Sequence, residues 1–192
     1  VAVHDEQVID PLGLFYDPKT NIIILHALIG VNGLEWQLAD SLNQIAKELK
    51  VKEIISIEGI GAQGLVGVIN EDTPSKSYFY SQNPKKWLSS GSLPLKEGIV
   101  MGVTGALLLN IKEIPLSCVF AETHSNLPDS RAAAKIIEVL DGYLGLKIDY
   151  KPLLKKAEIF EEKLKGLLEK GKTAEKMKQD KEVQVYFEEK AK

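Results

Sequence analysis

Cysteine is almost absent from this chain, because Cys118 is the only one among its 192 residues. A single thiol excludes an internal disulfide framework and a zinc site built from cysteines, which makes the cytoplasm the default compartment. The histidines His4, His26 and His124 are far apart, and none has a His or Cys partner at helical or hairpin spacing. We therefore expect no metal site in this protein.

Long apolar runs and an excess of positive charge are also missing. No apolar run approaches the roughly 18 residues that indicate a membrane span. The 27 acidic residues outnumber the 24 basic ones, which leaves a formal net charge of −3. Because a negative chain has no large positive field to hold phosphates, we expect neither nucleic acid nor a membrane as a partner.

The chain does carry an alternation of strand and helix patterns. Strands are predicted at Val1–His4, Leu12–Tyr16 and Ile22–Leu28, with DPKTN as the hairpin turn between the last two. NIIILHALI is apolar on both faces, which favours a central strand of a covered sheet. Apolar residues then recur at spacings of four and three, which predicts the inner face of a helix. That face comprises Leu34, Leu38, Leu42, Ile45 and Leu49.

Two further strand–helix units follow. VKEIISIEGI and PLSCVFAE are typical of buried strands. A helix is expected to start at about Thr104 as its N-cap, and another is expected after Asp129 or Ser130 as its cap. The alternation predicts an α/β core domain over residues 1–150, built as a three-layer α/β/α sandwich with a mostly parallel sheet.

The composition becomes strongly charged from Lys151 to Lys192, which we treat as a separate helical extension and tail. Pro152 suits the first turn of a helix. A stripe at spacings of four and three predicts a long amphipathic helix that packs on its own domain or on a neighbouring subunit. The stripe consists of Leu153, Ala157, Phe160, Leu164 and Leu167. The high Lys and Glu content is typical of thermophilic proteins.

A glycine pattern matches the spacing of a dinucleotide-binding fingerprint. Gly59, Gly61 and Gly64 follow a predicted strand. The fingerprint needs a helix that starts at the second or third glycine, so that its amides meet a pyrophosphate. Here a stretch rich in β-branched residues follows instead, so we favour a tight corner and expect no cofactor.

Polar side chains gather in AETHSNLPDSRAAAK, at the turn between a strand and a helix. Glu122, His124, Asp129 and Arg131 would stand at the carboxyl end of the sheet, where open α/β sheets bind ligands. Each of them also has a structural task available, such as capping or bonding the turn. Both interpretations stay open, and we identify no complete catalytic set.

The chain resembles the proteasome assembly chaperone two-type family of archaeal and eukaryotic proteins. The resemblance rests on ordered segments that include DPKTNIIILHALIGVNG, LADSLNQIAKELKVKEIISIEGIGA and EGIVMGVTGALLLNIKEI, and it covers most of Val1 to Glu158. Its most specific part is Gly102-x-x-Gly105 followed by the family-motif turn. That turn contains Glu122, His124, Pro128, Asp129 and Arg131.

The resemblance implies a fold like that of nucleoside phosphorylases, used without established catalysis. Family members assist assembly of the proteasome core particle or bind its α-subunits, and archaeal relatives form homo-oligomers. They usually begin with a further strand and a Gly-rich turn into a helix, a unit that we expect to be absent from this sequence. The implied partners are therefore a second copy of the chain and proteasome subunits or other client proteins.

The tail of the chain partly matches the family pattern. Some relatives end in hydrophobic-Tyr-x, which docks between α-subunits and can activate the proteasome. Val185, Tyr186 and Phe187 fit this pattern by type, but EEKAK follows them, so no free carboxylate stands beside the tyrosine. We therefore predict a partner-binding element of Val183, Val185, Tyr186 and Phe187, and the activator role is the alternative.

Two other classes of function remain as alternatives to a binding protein. The first is an enzyme acting on a nucleoside or a similar small molecule through Glu122, His124 and Arg131, although likeness of fold is a weak warrant for chemistry. The second is a coiled-coil stalk, for which the stripe after Pro152 is shorter than the three or four heptads that such a stalk needs.

Overall fold

A computed structural model provides the structure of this protein. It describes residues 2–4, 6–28, 30–61, 75–123, 129–152, 154–155, 158–159, 162–163 and 166. The chain divides into two compact units. The first comprises Val1–Glu58, Ser77–Phe120 and Val139–Lys147, and the second comprises Gly59–Lys76, Ala121–Glu138 and Ile148–Lys192.

The fold is of the mixed α/β class, as predicted. Its strands in the described residues are β1 (Ala2–His4), β2 (Gln7–Ile9), β3 (Leu12–Asp17), β4 (Ile22–Ala27), β5 (Ile54–Gly61), β6 (Ser77–Ser81), β7 (Leu93–Pro94) and β8 (Leu116–Thr123). Its helices there are α1 (Glu35–Glu48), α2 (Pro84–Trp87), α3 (Gly102–Asn110) and α4 (Ser130–Leu144).

The strands form one larger sheet and two hairpins. The larger sheet is mostly parallel and has the order β5-β8-β6-β7, while β1 with β2 and β3 with β4 form antiparallel pairs. Strand β8 is the buried centre of this sheet, because Leu116 through Glu122 are all buried. A strand that is apolar on both faces suits this central position. The three-layer arrangement and the C-terminal helix remain predictions.

The turn between β3 and β4 forms as its sequence indicates. Asn21 has a φ of 57°, the left-handed conformation that Asn tolerates well. Asp17 accepts hydrogen bonds from the backbone of Lys19 and from the hydroxyl of Thr20, the latter at 2.6 Å. The Thr20 hydroxyl and then the Lys19 amide hold the pKa of Asp17 below its usual value. The structure does not show the central position predicted for β4: among the described residues β4 pairs only with β3, and Ile24 is 56% exposed.

Helix α1 buries a face that overlaps the predicted one only in part, since Leu38 and Leu42 are half-buried whereas Ile45 is exposed. Its fully buried residues are Ala39 and Ala46, whereas Leu34 and Leu49 are exposed and lie just outside the helix. Helix α1 packs against α3. At the end of α3, Asn110 donates a hydrogen bond to Asp40 of α1 at 2.8 Å.

Helix α3 also begins differently from the prediction. Its N-cap is Met101, and Thr104 lies inside the helix, buried, with its hydroxyl 2.8 Å from the hydroxyl of Ser56 on β5. Gly102 has a φ of 62°, which a glycine adopts without strain. Thr104 therefore joins the helix to the sheet instead of capping the helix.

The core of the first unit is centred on Trp87, whose side chain is 0% exposed. Its indole N–H donates to the hydroxyl of Ser117 on β8 at 3.0 Å. The ring of Tyr143 on α4 stacks on the indole with the centroids 3.7 Å apart, and the Tyr143 hydroxyl donates to Glu53 at 2.6 Å. Burial and this hydrogen bond raise the pKa of Tyr143. The indole of α2 thereby joins β8 through a hydrogen bond and α4 through ring stacking.

Truncation of this indole should destabilise the protein strongly. We expect Trp87→Ala to lower the free energy of unfolding by about 3–5 kcal/mol, because it removes a buried aromatic ring and leaves a cavity. Trp36→Ala is the matched control, since Trp36 is 54% exposed, and it should cost less than about 1 kcal/mol. Urea unfolding followed by circular dichroism measures both. Equal losses in the two variants would contradict this account of the core.

Candidate functional site

The family-motif turn begins with Glu122, which is buried at the carboxyl end of β8. One oxygen of its carboxylate accepts a hydrogen bond from the backbone N–H of Lys76 at 3.3 Å. The backbone N–H of Glu122 donates to the carbonyl of Lys76 at 2.9 Å. The carboxylate therefore anchors the chain just before β6, which is a structural task.

The next residue, Thr123, explains why a glycine stands at position 59, the first glycine of the fingerprint-like pattern. Its hydroxyl donates to the carbonyl of Ile60 at 3.2 Å. A Cβ added at Gly59 would lie 2.8 Å from the Thr123 methyl group, so only glycine fits this close approach of β5 and β8. Gly59 and Gly61 lie within strand β5, while Gly64 lies outside the described residues.

The polar residues after the turn serve helix α4. Asp129 is its cap, as predicted, because its carboxylate accepts from the backbone N–H groups of Arg131 and Ala132, each at 3.0 Å. The side chain of Arg131 is exposed. His124 and Pro128 lie outside the described residues. Within the described part of the chain, no three His, Cys, Asp or Glu side chains are grouped so that they could hold a metal ion.

A carboxylate that sequence reasoning missed lies on β5. Glu58 is half-buried, and its Oε2 atom has no hydrogen-bond partner. Burial raises the pKa of Glu58, and a hydrogen bond with Thr104 acts in the opposite direction. Burial and then the Glu58 charge raise the pKa of Cys118 to about 12, so the thiol stays protonated and unreactive. The one sequence signal for Glu58 is that it places a charged residue within a stretch predicted to be a buried strand.

An apolar groove lies between α1 and α3. Its volume is about 390 Å³, and Glu35 is the only charged residue among those that line it. Trp36, Met101 and Leu109 line it and are exposed, Met101 by 72%. Exposed Trp and Met side chains are enriched at protein interfaces. Sequence periodicity missed this groove because its residues come from two segments and share no stripe.

The stretch GLLEKGKT, from Gly166 to Thr173, has the spacing of a phosphate-binding loop. Such loops follow a strand, because the glycines turn the chain from the strand into a helix. Here residues 162, 163 and 166 are helical, and those after Gly166 lie outside the described residues. The spacing therefore lacks the structural context that phosphate binding needs.

The predicted helix packing and tail residues cannot be located in the described part of the chain. The helix stripe, Leu153, Ala157, Phe160, Leu164 and Leu167, falls between or after the described positions, and so does the tail element, Val183, Val185, Tyr186 and Phe187. Lys151, Pro152 and Leu154 are helical, and the N–H of Leu154 donates to the carbonyl of Tyr150 at 2.9 Å. A helical turn thus forms at Pro152, as its sequence predicts. No helix in the described residues is long and apolar enough to cross a membrane.

Comparison with known sequences points to one family. The profile described as "PAC2 family" matches residues 1–168. A protein of Methanocaldococcus jannaschii called "Uncharacterized protein MJ0106" is 36% identical over 74 residues. That match covers 38% of this chain and 31% of the relative, so it spans about a third of the relative's length.

Comparison with solved structures gives the same fold. Pyrococcus furiosus PbaA, described as an archaeal homolog of proteasome-assembly chaperone, matches with a TM-score of 0.72 and 28% identity over 96% of this chain and 77% of its own. Pyrococcus furiosus PbaB, described as an archaeal proteasome activator, matches with a TM-score of 0.66 and 17% identity over 86% of this chain and 75% of its own. At that identity, the likeness to PbaB concerns the fold alone.

The raised pKa of Glu58 gives a stability prediction with a defined sign. A carboxyl group whose pKa is higher in the folded state than in the unfolded state makes its full contribution to the free energy of unfolding below the unfolded pKa. This contribution is lost as the pH rises through the folded pKa. We therefore expect Glu58→Gln to be more stable than the wild type at pH 7, with the difference shrinking toward pH 4. Urea unfolding at both pH values measures it.

The matched control for this prediction is Glu97→Gln, because Glu97 is an exposed carboxyl in the same unit. Its substitution should leave the stability unchanged at both pH values. A wild type that is more stable than Glu58→Gln at pH 7 would contradict the assigned cause of the pKa shift.

Proposed function

Because the chain belongs to the PAC2 family, we propose that it is an archaeal proteasome assembly chaperone homologue. In this role it is a homo-oligomeric binding protein that recognises proteasome-related subunits or other client proteins. The match to the family over residues 1–168 carries the proposal. The likeness to PbaA, at 28% identity over most of the chain, supports it.

The chemistry of the described surfaces favours binding over catalysis. Glu122 and Asp129 are engaged by backbone N–H groups, and the Cys118 thiol is buried and stays protonated. In contrast, Trp36 and Met101 expose large apolar side chains along the groove between α1 and α3. Apolar side chains that contact water in the free protein gain free energy when a protein partner covers them.

The C-terminal tail is the second contact element of the proposal. Val183, Val185, Tyr186 and Phe187 form an apolar cluster within a strongly charged segment. Aromatic side chains of this kind often anchor a peptide in a partner's pocket. The helix stripe before it would pack between subunits, so the tail would project toward the client while the oligomer stays intact.

The role of the tail can be tested by deletion. We expect removal of Lys172–Lys192 to weaken binding to a proteasome core particle at least tenfold, because the apolar anchors are lost, while the oligomer keeps its native mass. Calorimetry and native mass spectrometry measure the two properties. The matched control is a full-length variant in which Ser replaces Val183, Val185, Tyr186 and Phe187. It should bind as weakly as the deleted chain. Unchanged affinity in both proteins would remove the tail from the proposal.

The family assignment itself is tested by a pull-down from an archaeal cell extract, read by mass spectrometry. We expect proteasome subunits among the proteins captured by the full chain and their loss from the tail-deleted chain. Capture of no proteasome subunit by either protein would contradict the proposed function.

The alternative role, proteasome activation, depends on where the chain ends. Val185-Tyr186-Phe187 matches hydrophobic-Tyr-x, but five residues follow it. The carboxyl group of Phe187 is therefore part of a peptide bond and carries no free charge. We expect the full chain not to stimulate peptide hydrolysis by the core particle. A chain that ends at Phe187 should stimulate it several-fold, and the same chain with Tyr186→Ala should not. Stimulation by the full chain would favour the activator role instead.

A further inference from the structure

The groove between α1 and α3 presents large apolar side chains around small ones. Its lining includes the small residues Gly102, Gly105 and Ala106 of α3. A Cβ added at Gly102 would meet nothing within 4 Å, so the groove is unfilled at this point. Trp36 of α1 and Leu109 of α3 also line it, and they are 54% and 62% exposed. The groove therefore has room for apolar side chains of a partner and apolar surface to receive them.

The lining also restricts the backbone of an occupant. Among the lining residues, only Glu35 and the indole of Trp36 carry polar side-chain atoms. An extended peptide would leave buried N–H and C=O groups unpaired there, because the two helices that form the groove offer no strand edge. A helix pairs these groups within itself. The space between α1 and α3 thus fits the apolar face of a third helix.

The charges beside the groove are acidic. The carboxylate of Glu35 is half-buried, and within the part of the chain that the structure describes it has no hydrogen bond or ion pair. Asp40 lies further along α1 and accepts a hydrogen bond from Asn110 at the end of α3. Residues 99–111 carry no charge, and α1 has no basic residue before Lys47. A partner with positive charge would therefore be attracted to this surface.

Two lysines at the far end of the helix pair already have partners. Lys47 forms an ion pair with Glu113 at 2.9 Å, and the amine of Lys112 lies 3.5 Å from the carbonyl of Leu108. Lys47 is about 18 Å from Glu35 along the helix axis. This distance exceeds the roughly 8 Å over which exposed charges interact at physiological salt. The lysines therefore leave the charge of Glu35 without compensation.

We propose that the groove binds a basic amphipathic helix of a partner protein. Its apolar residues at i, i+4 and i+7 lie in the groove, and its Lys or Arg residues lie beside Glu35 and Asp40. Such a stripe spans about 10 Å, which matches the roughly 13 Å length of the nine-residue helix α3. The inference rests on the proposed function for the kind of partner, and it names the chemistry of the bound segment.

Two synthetic peptides of about 18 residues, long enough to form helices, test the proposal on the full chain. Both carry the same leucine stripe and no aromatic residue. The positions that flank the stripe are all Lys in one peptide and all Glu in the other. Calorimetry at about 0.15 M salt should show that the Lys peptide binds roughly tenfold tighter, because it meets opposite instead of like charge.

Tryptophan emission reports where the peptide binds. The chain has two tryptophans, and Trp87 is 0% exposed whereas Trp36 lines the groove. Neither peptide contains a tryptophan, so a blue shift of the emission on adding the Lys peptide indicates that Trp36 has become covered. We expect this shift with the wild type and its loss in Trp36→Phe.

Charge reversal distinguishes the groove from the field of the whole chain. Glu35→Lys should abolish the preference for the Lys peptide, whereas Glu48→Lys should keep it within about twofold. Glu48 is the matched control, because it is exposed, lies at the opposite end of α1 and changes the net charge equally. Circular dichroism checks the folding of each variant. Glu35→Gln, which keeps the shape of the side chain, should lower the preference about threefold and keeps the test valid if Glu35→Lys does not fold.

The apolar contact has its own pair of variants. Leu109→Ser should weaken binding of the Lys peptide about fivefold, because it removes an apolar side chain from the groove. Leu88→Ser is the matched control, since Leu88 is 59% exposed and lies outside the lining, and it should bind like the wild type. Failure of both peptides to bind, equal affinities for the two peptides, equal effects of Glu35→Lys and Glu48→Lys, or binding without a shift of the emission would each overturn the inference.

The same measurements separate this inference from the proposed function. If the pull-down captures proteasome subunits while neither peptide binds, only the groove inference fails. If the Lys peptide binds with the expected preference while no proteasome subunit is captured, only the proposed function fails.

Discussion

The first unit depends on the contacts that the Trp87 side chain makes from a helix of only four residues. Its indole donates to Ser117 and stacks on Tyr143. The Ser117 hydroxyl in turn donates to Glu53 at 2.6 Å, and the Tyr143 hydroxyl reaches the other oxygen of the same carboxylate. Because every buried polar atom in this chain of contacts has a partner, the network adds specificity without leaving an unsatisfied group.

Polar side chains of the family-motif turn bind backbone groups, while large apolar side chains are exposed elsewhere on the described surface. Glu122 and Asp129 hold backbone N–H groups in place, while the exposed apolar side chains of Trp36 and Met101 line the groove between α1 and α3. An enzyme needs polar groups directed at a substrate, whereas a binding protein needs apolar surface that a partner covers. The arrangement accords with the binding role proposed above.

Much of the fold could be predicted because it depends on local patterns. The hairpin turn at Asn21 and the cap at Asp129 follow from the chemistry of single residues, and the buried strand β8 follows from its apolar stretch CVFA. The inner face of α1 could be predicted only in part, because the Leu stripe and the two alanines Ala39 and Ala46, seven residues apart, both fit helical spacing. In the structure the alanines are fully buried, whereas Leu34 and Leu49 are exposed.

The sequence by itself determined the class of fold and the family, since these depend on residue types and their order along the chain. Only the tertiary structure decided that Gly59 makes room for Thr123, that Glu58 is half-buried with an unpaired oxygen, and that Trp36 and Met101 share a groove. Each of these depends on segments distant in sequence, and one-dimensional periodicity does not record which of them meet.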